Sequence, residues 1–176
     1  MASTAVGEST DRAPLGRAGR CVAGEIAIFH AAGARSRVLE ARTKTDKDIF
    51  YNPAAGLPRA ERELAATAVS RENGCIFCAS VHARFASTYS RRREDVQRLL
   101  DRGVSADTDE RWNAVVAASV ALTETPLSFD RRHIENLRQS GLDDLAIADV
   151  IYSAAFFNWA NRLMLSLGEP TAAAKR

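Results

Sequence analysis

The chain has 176 residues, the length of a single domain, and its 46% apolar and 26% charged residues are typical of a globular protein. Its 24 basic and 22 acidic residues leave a net charge of +2, which gives no reason to expect nucleic acid as a partner. No apolar run approaches the roughly 20 residues of a membrane helix, and three cysteines are too few for a disulfide scaffold.

The residue types favour helix over strand. Alanine, the best helix former, occurs 32 times, whereas glycine and proline together occur 15 times. Valine and isoleucine total 18, which is too few for an extensive buried sheet, and no alternating apolar pattern is present. The sequence therefore predicts an all-α fold of about seven or eight helices.

The two ends of the chain are expected to lie outside the folded domain. Residues 1–19 are small and polar and are interpreted as a flexible arm, with the helical domain over 20–170 and a disordered tail over 171–176. The arm has no apolar core of the kind that a secretory signal requires. A reducing cytoplasm is therefore the expected location, where a close cysteine pair is more often catalytic or metal-binding than structural.

The first third of the domain contains weak helix signals. A short apolar helix is predicted over 21–32, and the helical pattern resumes over 34–42. Residues 43–57 are rich in Thr, Lys, Asp and Asn and include Pro53. They are predicted to form a loop with at most one helical turn, around residues 49–51.

Helices after this loop are marked by proline and glycine. Pro58 is predicted as the first residue of a helix over 58–72, where its missing N–H costs nothing. Asn73-Gly74 ends that helix. Later helices are predicted over these ranges: about 74–90, 93–102, 108–124, 129–140 and 143–167.

The most informative feature is a Cys-x-x-Cys pair followed by histidine. On a helix with about 100° per residue, Cys78 and His82 lie within about 60° of Cys75, so the three side chains share one face. His82 is one turn from Cys78, close enough for its imidazole to polarise the thiol. Both cysteines fall near the start of the helix, where free N–H groups and the helix dipole favour a thiolate.

A carboxylate belongs to the same constellation. Glu63 precedes Cys75 by twelve residues, on the helix before the break. A sharp turn at Asn73-Gly74 folds that helix back, so we expect Glu63 to reach the cysteine face. A carboxylate beside an imidazole and a thiol makes a proton relay.

Spacing alone leaves three interpretations open. The first is a redox dithiol, in which one thiolate attacks an electrophile and the other resolves the product as a disulfide. The second is a zinc site of Cys75, Cys78 and His82, with or without Glu63, although zinc ligands usually come from two separate elements. The third is a buried cysteine pair with a hydrogen-bonded histidine. The absence of a βαβ pattern argues against a thioredoxin fold.

The spacing of Glu63, the cysteine pair and His82 resembles the core of the alkylhydroperoxidase D and carboxymuconolactone decarboxylase family. The helix-turn-helix text around it is also similar to that family. Residues 141–170 resemble the closing helices of its peroxidase-related branch. The resemblance covers roughly residues 25–168.

The resemblance implies an all-α fold, a homotrimer or homohexamer, and a hydroperoxide substrate. It implies that Cys78 is the peroxidatic thiol, which becomes a sulfenic acid, and that Cys75 resolves it as a disulfide. Glu63 and His82 would form the proton relay. No bound cofactor or metal is implied, and an external dithiol, of lipoyl or thioredoxin-like type, would restore the pair. The alternatives are a dithiol/disulfide oxidoreductase of unknown substrate and a zinc-binding or non-catalytic oligomeric protein.

One position departs from the family pattern. The best-known peroxidase members have a second histidine immediately before the second cysteine, where this chain has Phe77. Any part of that histidine in the relay is therefore missing, which predicts weaker activity or another substrate. Decarboxylase members generally lack the cysteine pair, so its presence argues against decarboxylation of a muconolactone.

The remaining candidates are given structural interpretations. His30 is predicted to be packed, His133 exposed, and Cys21 without a role. The arginine run 91–93 is predicted to be a solvated face. Four apolar side chains are predicted to be core or subunit interface rather than pocket lining: Phe156, Phe157, Trp159 and Met164.

Overall fold

The structure, a computed structural model, describes residues 36–167. Over that range it contains seven α-helices, one short 3₁₀ turn and no strand, which confirms the all-α class. In chain order the helices are α1 (Ser36–Tyr51), α2 (Arg59–Glu72), α3 (Ile76–Ser90), α4 (Arg93–Arg102), α5 (Glu110–Ala121), α6 (Arg131–Gln139) and α7 (Asp144–Leu167). The 3₁₀ turn, Gly103–Ser105, follows α4. None of these helices is long and apolar enough to cross a membrane.

Some predictions concern residues outside the described range. They are the arm over 1–19, the helix over 21–32 with His30, the isolated Cys21, and the tail over 171–176. The domain boundaries predicted at residues 20 and 170 also lie there.

The prediction of a loop over 43–57 is wrong for its first nine residues, because α1 is helical as far as Tyr51. No glycine or proline interrupts this stretch, so its polar composition marks a solvated helix face rather than a loop. Arg42 and Asp46 form an ion pair one turn apart, at 3.1 Å, which supports the helix. Phe50, only 2% exposed, anchors the end of α1 in the core.

The predicted helices after residue 58 agree with the observed ones to within three residues at each end. Two first residues differ. Pro58 lies at the N-cap of α2 rather than inside it, since its ψ of 142° is extended. Cys75 is likewise the N-cap of α3, with φ −81° and ψ 92°, so the helical geometry assumed for it begins one residue later.

Helix α2 is the centre of the fold. All eleven residues from Ala60 to Ser70 are buried, and α2 packs against α1, α3, α4, α5 and α7. Four of the eleven are alanines, whose small side chains let neighbouring helices approach closely. A helix buried on every side places its functional groups in the interior of the protein.

The turn between α2 and α3 is fixed by backbone hydrogen bonds. The N–H of Gly74 donates to the carbonyl of Arg71 at 3.0 Å, and the N–H of Cys75 donates to that of Ser70 at 2.9 Å. This pair of bonds is a Schellman motif, which requires a left-handed residue, here Gly74 with φ +76°. The turn sets where α3 begins and therefore where both cysteines lie.

Helix α7 holds this turn from the other side. Asn161 is fully buried, and its Nδ2 donates to Oγ of Ser70 at 3.1 Å. Its Oδ1 accepts from Nδ2 of Asn73 at 3.2 Å, and Asn158 accepts from the same amide. These side-chain bonds tie α2, the turn and α7 together.

Two surface predictions need correction. His133 is only partly exposed, because it forms a capping box with Asp130 at the start of α6. Within the arginine run, Arg91 and Arg93 are exposed as predicted, but Arg92 is half-buried. Its guanidinium lies 3.9 Å from the ring centroid of Trp112 and pairs with Asp95 and Asp109.

Replacing Gly74 tests the turn. A Cβ at this position meets nothing within 4 Å, so the cost of Gly74→Ala is that of the left-handed backbone alone. We expect a loss of about 1 kcal/mol in the free energy of unfolding, measured by urea denaturation. Gly74→Asn is the matched control and should cost less, because asparagine tolerates this conformation. Equal losses for Ala and Asn would contradict the assignment.

Candidate active site

A cavity of about 290 Å³ lies where α1, α2, α3 and α7 meet. Its lining is mainly apolar and aromatic, but it includes three of the four side chains singled out in the sequence: Glu63, Cys78 and His82. Concave, apolar sites with a few convergent polar groups are where small molecules bind. The cavity is therefore the candidate active site.

The two cysteines differ in their access to this cavity. Cys78 lines it and is 7% exposed, whereas Cys75 is fully buried and is not among its lining residues. Both belong to the same apolar cluster and lie close together. Cys78 is the third residue of α3, within the first turn, where the helix dipole favours an anion.

Glu63 reaches across the α2–α3 turn to His82. Its Oε2 lies 2.6 Å from Nδ1 of the imidazole, and both residues are buried. When Glu63 is ionised it can only accept, so Nδ1 is the donor in that state. Nε2 of a neutral ring then carries the lone pair.

Aromatic rings enclose the imidazole. The ring centroid of Phe157 lies 3.9 Å from that of His82, at an interplanar angle of 70°, and Phe50 lies at 5.2 Å. Both phenylalanines are buried and line the cavity. They fix the orientation of His82 and give its surroundings a low polarity, which strengthens its bond to Glu63.

A residue not singled out in the sequence completes this arrangement. Nε of Arg59 donates to Oε1 of Glu63 at 3.1 Å, so each carboxylate oxygen has its own partner. Burial opposes the charge of Arg59, but its interactions with Tyr51 and Glu63 outweigh that effect and raise the pKa of the guanidinium above its usual value. The spacing of four residues between Arg59 and Glu63 was the signal that could have revealed it.

Helix α1 supplies a wall of the cavity that the loop prediction missed. Leu39, Arg42, Asp46 and Phe50 all line the cavity, and their spacing of three or four residues is that of one helix face. The prediction that the four apolar side chains of α7 do not line a pocket is wrong for three of them: Phe157, Trp159 and Met164 line the cavity. Phe157 and Met164 are also buried core residues, as predicted.

The metal interpretation has no geometric counterpart in the part of the chain that the structure describes. Between residues 36 and 167, no group of three or more His, Cys, Asp or Glu side chains is arranged to hold a metal ion. The pairing of His82 with Glu63 instead occupies Nδ1 of the imidazole.

The fold is that of alkylhydroperoxidase-like proteins. An uncharacterised peroxidase-related protein from Silicibacter sp. TM1040 is 25% identical, with a TM-score of 0.69 over 78% of this chain and 72% of that chain. A peroxidase-related protein with an AhpD core from Ralstonia eutropha JMP134 is 21% identical, with a TM-score of 0.70 over 80% and 74%. The debrominase Bmp8 is 20% identical, with a TM-score of 0.70 over 84% and 77%.

Residues 36–121 match the model of the carboxymuconolactone decarboxylase family. This region of the chain is similar to that family, and the resemblance drawn from the motif is confirmed. The matched region contains Glu63, both cysteines and His82. No curated protein sequence matches the chain.

The unequal access of the two cysteines predicts unequal labelling. In the fully reduced protein, iodoacetamide should modify Cys78 several-fold faster than Cys75, because Cys78 alone of the pair lines the cavity. Peptide mass spectrometry after limited alkylation measures both rates, and urea-unfolded protein is the control in which they should converge. Faster labelling of Cys75 in the folded protein would contradict this geometry.

Proposed function

We propose that the protein is a thiol-dependent hydroperoxidase in which Cys78 attacks the peroxide and Cys75 resolves the product. The observation that carries the proposal is the shared cavity: Cys78 and the hydrogen-bonded pair of Glu63 and His82 all line it, and Cys75 lies behind it. The match of residues 36–121 to the family model and the similarity to peroxidase-related structures support the same assignment.

In the first step, the Cys78 thiolate attacks the terminal oxygen of the hydroperoxide. The O–O bond breaks, the sulfur becomes a sulfenic acid, and the alkoxide takes up a proton to leave as an alcohol. The sulfur is oxidised by two electrons and the peroxide is reduced by two. The first turn of α3 stabilises the attacking thiolate through its N–H groups.

In the second step, the Cys75 thiol attacks the sulfenic sulfur. A Cys75–Cys78 disulfide forms, and the sulfenic oxygen leaves as water. An external dithiol of lipoyl or thioredoxin-like type then reduces the disulfide by exchange and is itself oxidised. Assembly into a trimer or hexamer remains part of the proposal.

His82 and Glu63 are proposed to move the proton from the Cys78 thiol to the departing alkoxide. His82 lies one turn after Cys78 in α3, and its Nε2 lone pair accepts the thiol proton and returns it to the departing alkoxide. Glu63 stabilises the imidazolium that exists between the two transfers. In place of the second histidine of the best-known members, Phe77 lines the cavity and adds apolar surface.

A second candidate uses the same dithiol on a halogenated aromatic ring. It is favoured by the aromatic lining of the cavity and by the similar fold of the debrominase Bmp8, of which a Cys-to-Ala variant was crystallised with 2,3,4-tribromopyrrole. The balance is simple: two thiols and a C–Br bond give a disulfide, a C–H bond and HBr. Bromide release would identify this reaction.

The cysteine variants test the proposed roles. With cumene hydroperoxide, Cys78→Ser should lose rapid oxidation completely, whereas Cys75→Ser should still react once and accumulate a sulfenic acid at Cys78. Wild type should form the Cys75–Cys78 disulfide, detected by mass spectrometry. If Cys78→Ser reacts as fast as wild type, the proposal is wrong.

The relay is tested by His82→Gln, which should slow the oxidation about 100-fold or more, the usual contribution of a general acid–base group. His133→Gln is the matched control, because His133 caps α6 and does not line the cavity. Incubating the wild-type protein with 2,3,4-tribromopyrrole in place of the peroxide separates the two candidate reactions. Disulfide formation with bromide release, and none with peroxide, would replace hydroperoxidase by dehalogenase.

A further inference from the structure

We propose that Arg59 positions the relay: it occupies one oxygen of Glu63 and so holds the other on Nδ1 of His82. The consequence is a single tautomer of the imidazole, with the proton on Nδ1 and the lone pair on Nε2. The catalytic meaning of this rests on the proposed function, but the tautomer itself is a property of the free protein.

The carboxylate of Glu63 is divided between two donors. Oε1 accepts from Nε of Arg59 at 3.1 Å, and Oε2 lies 2.6 Å from Nδ1 of His82. Without a donor on Oε1, a buried carboxylate could rotate or take up a proton, and a protonated carboxyl could itself donate to the imidazole. That exchange would move the ring proton to Nε2 and leave no base for the thiol.

Arg59 carries its charge at an unfavourable position, which indicates a functional role for that charge. It is the first residue of α2, where the helix dipole disfavours a cation. Rings from two other helices compensate: the guanidinium carbon lies 3.9 Å from the ring centroid of Tyr51 and 4.4 Å from that of Tyr89. Phe85 adds a third ring at 5.3 Å. The Arg59 side chain, 18% exposed, thus lies between these rings and Glu63.

Arg59 acts on the carboxylate and not on the substrate. Glu63, Tyr51 and Phe85 line the cavity, whereas Arg59 lies behind them and does not. The neighbouring Arg62 also contributes positive charge near Glu63, but its guanidinium donates to the carbonyl of Ile49 at the end of α1. Arg62 therefore cannot take over the hydrogen bond that Arg59 makes.

The experiment measures the tautomer directly, in full-length protein labelled with ¹⁵N-histidine. The chain has three histidines, and the loss of signals in His82→Gln assigns those of His82. Wild type should show a protonated Nδ1 and an unprotonated Nε2. Arg59→Met should show a mixture of tautomers, and Arg59→Lys should restore part of the wild-type signature, because the ammonium keeps the charge but loses the planar fork.

Arg84→Met is the matched control. Arg84 lies over the same ring, Phe85, at 4.8 Å, but it is exposed and belongs to α3 rather than to the Glu63 cluster. Its tautomer signature and its rate of oxidation by cumene hydroperoxide should equal those of wild type. Arg59→Met should oxidise about 10- to 100-fold more slowly, the range found when a residue that orients a metal-binding histidine or carboxylate is lost. Its KM for the peroxide should be unchanged, because Arg59 does not line the cavity.

The two proposals fail separately. A wild-type tautomer in Arg59→Met overturns the positioning role, as does a raised KM with an unchanged kcat. If wild type does not react with peroxide but the tautomer shifts in Arg59→Met, the hydroperoxidase fails and the positioning role stands. Should Arg59→Met not fold, Arg59→Lys is the deciding variant. Its ¹⁵N signature must then show a smaller fraction of the Nδ1-protonated tautomer of His82 than wild type does. An unaltered signature with an unaltered rate of oxidation overturns the proposal.

Discussion

The buried carboxylate of Glu63 is the constraint around which the rest of the structure is arranged. Only 1% of this residue is exposed, and a buried charge costs several kcal/mol unless it is paired and hydrogen-bonded on all sides. Its partners, Arg59 and His82, bring further requirements, since the guanidinium needs the rings of α1 and α3 and the imidazole needs Phe157 of α7. Four helices are therefore held in one arrangement by the demands of one charge.

Three consecutive charged residues extend this principle along α2. Successive residues of a helix point about 100° apart, so Glu61, Arg62 and Glu63 face three directions. Glu61 accepts two bonds from Arg111 of α5, at 2.7 and 2.9 Å, Arg62 donates to the end of α1, and Glu63 meets α3. Each charged residue pairs with a different neighbouring helix. These three interactions therefore determine which helices pack on α2, although alanines form much of its surface.

Local chemistry made part of this predictable. Gly74 and the prolines mark turns that depend on a few residues, so helices after residue 58 were placed well, and the fold-back of Glu63 followed from the turn. The helical end of α1 was missed because its polar residues face solvent, and only docking on α2 shows which face is buried. Arg59 was missed for a related reason: its place at a helix start is unfavourable until the rings of other helices are present.

The helices that line the cavity differ in how well they tolerate substitutions. Its chemical groups lie on α2 and α3, and α2 has no exposed residue from 60 to 70, so few substitutions there leave the packing intact. The facing wall comes from α1 and α7, where Val38 and Trp159 line the cavity while remaining 50% and 43% exposed. Side chains at such positions can change size at little cost in stability. Substitutions on α1 and α7 can thus change the shape of the cavity while Glu63, Cys78 and His82 stay in place.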